Sequence, residues 1–182
     1  MVCTNIVYVL FLSFAAYMCD LRSQRIPNVL IMMGYVTGFM YVIYEKGPPG
    51  IPEAIISLLW PILLLYVLFR MRAMGAGDIK LLSVISTFLD FHNMLTVIYL
   101  SLLTGAVVGL IRMVTGGYTG AYLKNFHLYL QTVITGKKIL AYQSIGKGNG
   151  VLHFAGCIFA AVAMLFLWEV LCSYGSIWDF GL

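Results

Sequence analysis

Long apolar runs recur along this chain, from about Ile6 to Cys19, Val29 to Tyr44, Ala54 to Phe69, Met94 to Ile111 and Val151 to Leu171. That recurrence constrains the fold more than any other feature. A backbone in hydrocarbon must satisfy its own N–H and C=O groups, so such runs fold as membrane helices. With 182 residues that are 62% hydrophobic and 10% charged, the apolar surface cannot be hidden in one soluble core. A shorter run from Ile79 to Leu89 brings the expected count to about six transmembrane helices. The expected fold is therefore all-α and polytopic, with residues 1–182 forming one membrane-embedded domain. Helix four is the weak joint, since Ile79 to Leu89 covers only about 16 Å at 1.5 Å per residue, against roughly 30 Å of hydrocarbon. The first run has no basic leading segment and no small-residue cleavage site before Asp20, so it is expected to be a retained helix rather than a signal peptide.

Charge placement predicts the orientation, because basic residues gather in short cytoplasmic loops. Arg22 and Arg25 follow helix one, and Arg70, Arg72 and Lys80 surround the join between helices three and four. Arg112, Lys124, Lys137, Lys138 and Lys147 precede helix six. These positions share one side. The other side receives the Glu45 to Glu53 turn, the Asp90 to Asn93 turn and the tail with Asp179, and its only basic residue is Lys46. The amino terminus is thus expected outside a cytoplasmic (inner) membrane, with Asp20 and Asp78 both at the cytoplasmic face.

Two short segments carry candidate chemistry. Gly75-Ala76-Gly77-Asp78, followed by Ile79-Lys80, places a carboxylate at the mouth of an apolar run, and Asp20 opens the stretch Asp20-Leu21-Arg22-Ser23-Gln24-Arg25-Ile26-Pro27-Asn28. Glycines at 75 and 77 would allow unusual torsions and close approach of another peptide. Asp78 would then stand at a helix start, where capping and the helix dipole suit an acid. Taken singly, capping accounts for Asp78, and a surface pairing with Arg22 or Arg25 accounts for Asp20. Pro27 disfavours helical torsions at Ile26 and predicts the start of helix two, with proline at an early helical position.

Taken together, the two segments resemble the Gly-x-Gly-Asp aspartyl proteases of membranes, and the Asp20 to Asn28 stretch narrows the likeness to the prepilin (type IV leader) peptidases. The resemblance implies Asp20 and Asp78 as the catalytic pair, with Gly75, Gly77, Pro27 and Asn28 shaping the site. It also implies a precursor pilin or pilin-like substrate, whose short basic leader is cut just after a glycine at the cytoplasmic membrane face. Two adjacent carboxylates would share a proton and activate water, with no cofactor. Larger members carry a cytoplasmic region with paired Cys-x-x-Cys motifs that nothing here matches, so the chain resembles the short, peptidase-only form. Family members often have an aromatic-small-proline element near the start of helix six, where this chain has Phe154-Ala155-Gly156.

Other features read as structural. Gly34 with Gly38, and Gly105 with Gly109, have the small-x-x-x-small spacing of close helix packing. Lys80 reads as a lipid or interface residue. Ala121 to Thr135 reads as an amphipathic helix on anionic lipid, and Gly146 to Gly150 as a hinge. Cys3, Cys19, Cys157 and Cys172 are scattered, and His92, His127 and His153 share no ligand spacing, so all seven read as packing residues and no metal is expected. Membrane lipid is an expected partner and nucleic acid is not. Two other functions fit the acids: an intramembrane protease of the presenilin kind, and a carrier or assembly subunit using Asp20 and Asp78 as proton or cation ligands.

Overall fold

The structure, a computed structural model, describes residues 2–71, 74–115 and 153–178. Six α-helices make up the regular structure: α1 (Val2–Ser23), α2 (Asn28–Lys46), α3 (Ile51–Arg70), α4 (Ala76–Ile85), α5 (Phe91–Thr115) and α6 (Phe154–Trp178), with a 3-10 turn at Pro48–Gly50. No strand occurs among the described residues. Four segments, Asn5–Ser23, Pro48–Arg70, Phe91–Arg112 and Phe154–Ser173, are long and apolar enough to cross a membrane. Large apolar side chains are exposed on their outer faces, including Leu63 and Val67 on α3, Leu110 and Ile111 on α5, and Leu167 and Trp168 on α6. A surface of that kind suits hydrocarbon as its solvent. The expectation of about six spans thus resolves into six helices of which four have crossing length and hydropathy. The stretches Ala121 to Thr135 and Gly146 to Gly150 lie outside the described residues.

The two other helices are α2 and α4, and α4 is the central one. Its ten residues rise about 15 Å, and Leu81, Leu82, Val84 and Ile85 are completely buried. A helix that is apolar on every side belongs in the middle of a bundle. It touches α1, α2, α3 and α6. The helix ends at Ile85 because Ser86 and Thr87 turn their hydroxyls back onto the carbonyls of Ser83 and Val84, at 2.7 and 2.8 Å, and the amides of Thr87 and Phe88 take i−3 partners.

The contact between α3 and α4 follows from one proline. Pro61 lies buried inside α3 and has no N–H to offer the carbonyl of Ser57, four residues back. That carbonyl instead accepts a hydrogen bond from Ser86 Oγ, while Ser83 Oγ donates to the Leu58 carbonyl at 2.6 Å. Side-chain hydroxyls of a neighbouring helix are a standard remedy for a proline in a membrane helix. Ser86→Ala is expected to cost about 1 kcal/mol in detergent unfolding. The penalty should shrink in a Pro61→Ala background, where the restored amide serves Ser57; an equal penalty in both backgrounds would rule out this account.

Small residues set the other approaches. A Cβ on Gly34 would stand 2.6 Å from Val84 Cγ1, one on Gly38 would collide with Thr87, and one on Gly105 would stand 2.9 Å from the Phe154 ring. Those three glycines are packing residues, as their spacing suggests. Gly109 is different, because it faces open space.

Candidate active site at one end of the bundle

Asp20 occupies the last turn of α1 and is buried, with 9% of its surface exposed. The helix stops just after it. Gln24 adopts a left-handed φ of 54° and donates its amide to the Asp20 carbonyl at 2.8 Å, and Ser23 Oγ bonds the carbonyls of Cys19 and Arg25, both at 2.9 Å. The chain then restarts at Pro27, which has extended torsions (φ −61°, ψ 133°) and is the N-cap of α2 rather than a residue within its first turn. Its carbonyl accepts the amide of Leu30 at 3.1 Å. Pro27 and Asn28 are exposed.

Asp78 lies in the first turn of α4, three residues past the N-cap Gly75. Its carboxylate reaches back to the Gly75 amide, which is the acidic half of a capping box. Capping therefore does operate here. Gly75 itself has ordinary extended torsions (φ −75°, ψ 149°), so unusual backbone freedom is not the reason for the glycine. Space is: a Cβ at Gly75 would stand 2.9 Å from Asp78 Oδ2, and one at Gly77 would meet Ile26 Cβ at 3.4 Å. The two glycines leave room for the carboxylate on one side and for the Asp20 to Asn28 loop on the other. Lys80 Nζ, 3.4 Å from Asn28 Oδ1, adds a second tie between the segments.

The charge of Asp20 acts on Asp78. Asp78 stands outside the four candidate spans, and its carboxyl is pushed up to about 6, by burial first and by the negative charge of Asp20 second, against the opposing Gly75 hydrogen bond. Like charges that share a partly dry site cannot both ionise cheaply. Arg22 and Arg25 are exposed, and the ion-pair partner of Asp20 among the described residues is neither of them. A simple surface pairing with arginine does not describe Asp20.

The partner is His153, whose Nδ1 lies 3.1 Å from Asp20 Oδ2. This corrects the reading of His153 as a packing residue. His153 immediately precedes α6, and its position follows from the register of α6 against α1. Gly156 accepts the Tyr17 ring, which a Cβ would meet at 2.8 Å, and that ring stacks on Phe159 at a centroid distance of 6.0 Å. Tyr17 and Asp20 are one helical turn apart, as are Gly156 and His153, so the first contact places the second. No motif spacing marks His153. The available signal was its position at the start of an apolar run on the same expected face as the two acids. At the other end of the bundle a cavity of about 350 Å³ is lined by Asn5, Tyr41, Glu45, Glu53, Trp60 and Asp90, and it contains neither Asp20 nor Asp78.

The model of the type IV leader peptidase family matches residues 6–110. The matched region holds both acids and ends before His153. No curated protein and no solved structure matches the chain.

Proposed function

Because this chain belongs to the type IV leader peptidase family, we propose that it is a membrane aspartyl endopeptidase in which Asp20 and Asp78 activate water to cut the leader from a prepilin or pilin-like precursor. The observation that carries the proposal is the family match over residues 6–110, which holds both signature segments, and the charge of Asp20 acting on Asp78 agrees with it. The expected orientation, with the acids at the cytoplasmic face of the inner membrane, belongs to the same proposal and rests on the basic residues flanking them.

The chemistry is that of a carboxylate pair holding one proton. The ionised carboxylate takes a proton from water, the resulting hydroxide attacks the carbonyl carbon of the scissile peptide, and the protonated carboxyl gives its proton to the carbonyl oxygen. The tetrahedral adduct then collapses. The C–N bond breaks as the leaving nitrogen takes up the proton first drawn from water and one hydroxyl of the adduct returns its proton to the carboxylate that had given one, so the products are a carboxyl and an amine and the pair again holds one proton. Gly75 and Gly77 keep side chains away from this site, while Pro27 and Asn28 shape its rim.

Incubation of the purified protein with a precursor whose leader ends in glycine, followed by mass spectrometry of the product's amino terminus, tests the reading. Cleavage just after the glycine is expected; cleavage elsewhere within the substrate helix would favour chemistry of the presenilin kind. Failure with every precursor, together with ion-dependent transport in vesicles, would replace the peptidase by a carrier.

The pH dependence has a definite sign. The active pair holds one proton, and Asp78 keeps it below about 6. Above that value the pair becomes doubly charged and lacks its acid. The alkaline limb of kcat/KM, which reports the free enzyme, is expected to fall tenfold per unit from about pH 6. The limb of kcat should lie higher, since bound substrate excludes water and further disfavours the second charge. A kcat/KM that rises through neutrality would contradict the shared proton.

A further inference from the structure

Two like carboxylates leave open which one holds the proton. Their donors differ: Asp78 faces the backbone amide of Gly75, whereas Asp20 faces the His153 side chain. We propose that His153 is a positioning residue for the pair: by donating from Nδ1 to Asp20 Oδ2 it commits Asp20 to the acceptor role, so that Asp20 is the base and Asp78 the acid. The inference rests on the aspartyl peptidase reading above and goes beyond the matched region, which ends well before residue 153.

Three observations carry it. The contact is short and sheltered, with side-chain exposures of 23% for His153 and 13% for Asp20, so water competes poorly for either partner. The histidine is also held in place from both directions. Its carbonyl accepts the Gly156 amide at 3.1 Å, Tyr17 packs on Gly156, and the next side chain, Phe154, fills the space over Gly105 on α5. A backbone anchored in this way sets the ring beside the Asp20 carboxylate. Finally, burial and the charge of Asp20 favour the protonated form of Asp78 and outweigh the opposing hydrogen bond from the Gly75 amide, which is the arrangement of an acid beside an ionised neighbour.

Among the described residues, other charged and titratable groups around the pair are few. Asp78 faces it from α4, and Cys157, one turn along α6, feels both Asp78 and Arg112 of α5. Tyr17 on α1 is occupied by its ring contacts. Arg22, Arg25 and Lys80 are exposed at the same end. An ionised carboxylate has acceptor capacity only, so the ring nitrogen facing it must carry the hydrogen. The Nδ1–H tautomer is therefore the one the pair selects.

The test uses the full-length protein in detergent with a glycine-leader precursor, measuring kcat and KM across pH for wild type, His153→Leu and His153→Asn. Asparagine keeps a donor near the Nδ1 position; leucine does not. Expected for His153→Leu are a fall in kcat of about 10–100-fold, a KM within about twofold of wild type, and an acidic limb displaced about one unit upward. His153→Asn should recover most of the loss. Equal losses in both variants with an unmoved profile would make His153 a structural tie and overturn the proposal.

A second readout does not depend on cleavage. In protein carrying 15N-labelled histidine, Asp20→Ala should shift the His153 Nδ1 resonance and leave that of His92 in place. An unmoved His153 resonance overturns the proposal even in an active enzyme. A responsive His153 in a protein that cuts no precursor would instead overturn the peptidase reading, and with it the base and acid assignment.

Discussion

Asp20→Asn and Asp78→Asn are each expected to lower precursor cleavage by at least about a thousandfold, and the double variant to be no worse than either single one. The reason is that the pair acts as a unit. Asparagine keeps the shape and most of the polar contacts but cannot take a proton from water or give one to the carbonyl oxygen. At residue 20 an amide oxygen can still accept from His153, and at residue 78 it can still accept from the Gly75 amide, so both variants should fold. Thermal unfolding of each in detergent checks this. Substrate binding should persist, because asparagine has nearly the size and shape of aspartate. Cleavage within tenfold of wild type in either variant would remove the carboxylate pair from the mechanism.

The largest structural effect is expected where α2 meets α4. Gly34→Ala puts a methyl 2.6 Å from Val84 Cγ1, and Gly38→Ala puts one against the β-branched Thr87, which cannot swing aside freely. Val84 lies on the buried central helix and Thr87 in the buried turn that follows it, so something in the core must shift. Overpacking of this kind costs about 1–3 kcal/mol per site, and in a membrane the close approach of helices is itself a main source of association. The two sites press on one continuous segment, α4 and the turn after it, so their penalties should not add. Val84→Ala should relieve Gly34→Ala, by giving back the volume that the new methyl takes. Gly109→Ala is the control, expected within about 0.5 kcal/mol of wild type because no atom stands near it. Movement of α4 would also disturb Asp78 at its start, so cleavage should fall together with stability for Gly34 and Gly38 but not for Gly109. Comparable penalties at all three glycines would refute the packing account.

Much of the helical layout was legible in the residues. Hydropathy runs mark α1, α3, α5 and α6 because lipid exposure requires an apolar face along the whole length, and that is a local property of composition. The Gly75 to Lys80 and Asp20 to Asn28 segments announced themselves by residue type and spacing, and the weakness of helix four was visible in its length. Less of the site was legible. Gly75 invited an argument from torsions, whereas its backbone is ordinary and its role is to clear the Asp78 carboxylate. His153 looked like one more apolar-helix residue, because nothing near it in sequence hints at an acid 133 residues away.

By itself, then, the sequence determined that this is a helical membrane protein, where its helices begin to within about one turn, and which two acids stand at helix ends. These follow from the chemistry of neighbouring residues and the solvent they meet. Only the tertiary structure decided that α4 is the buried centre, that Ser86 serves the carbonyl freed by Pro61, that Asp20 and Asp78 feel one another, and that His153 holds Asp20. Each of those depends on how side chains from distant segments fill shared space, and the register of two packed helices is set by shapes such as Tyr17 on Gly156 that no single segment encodes.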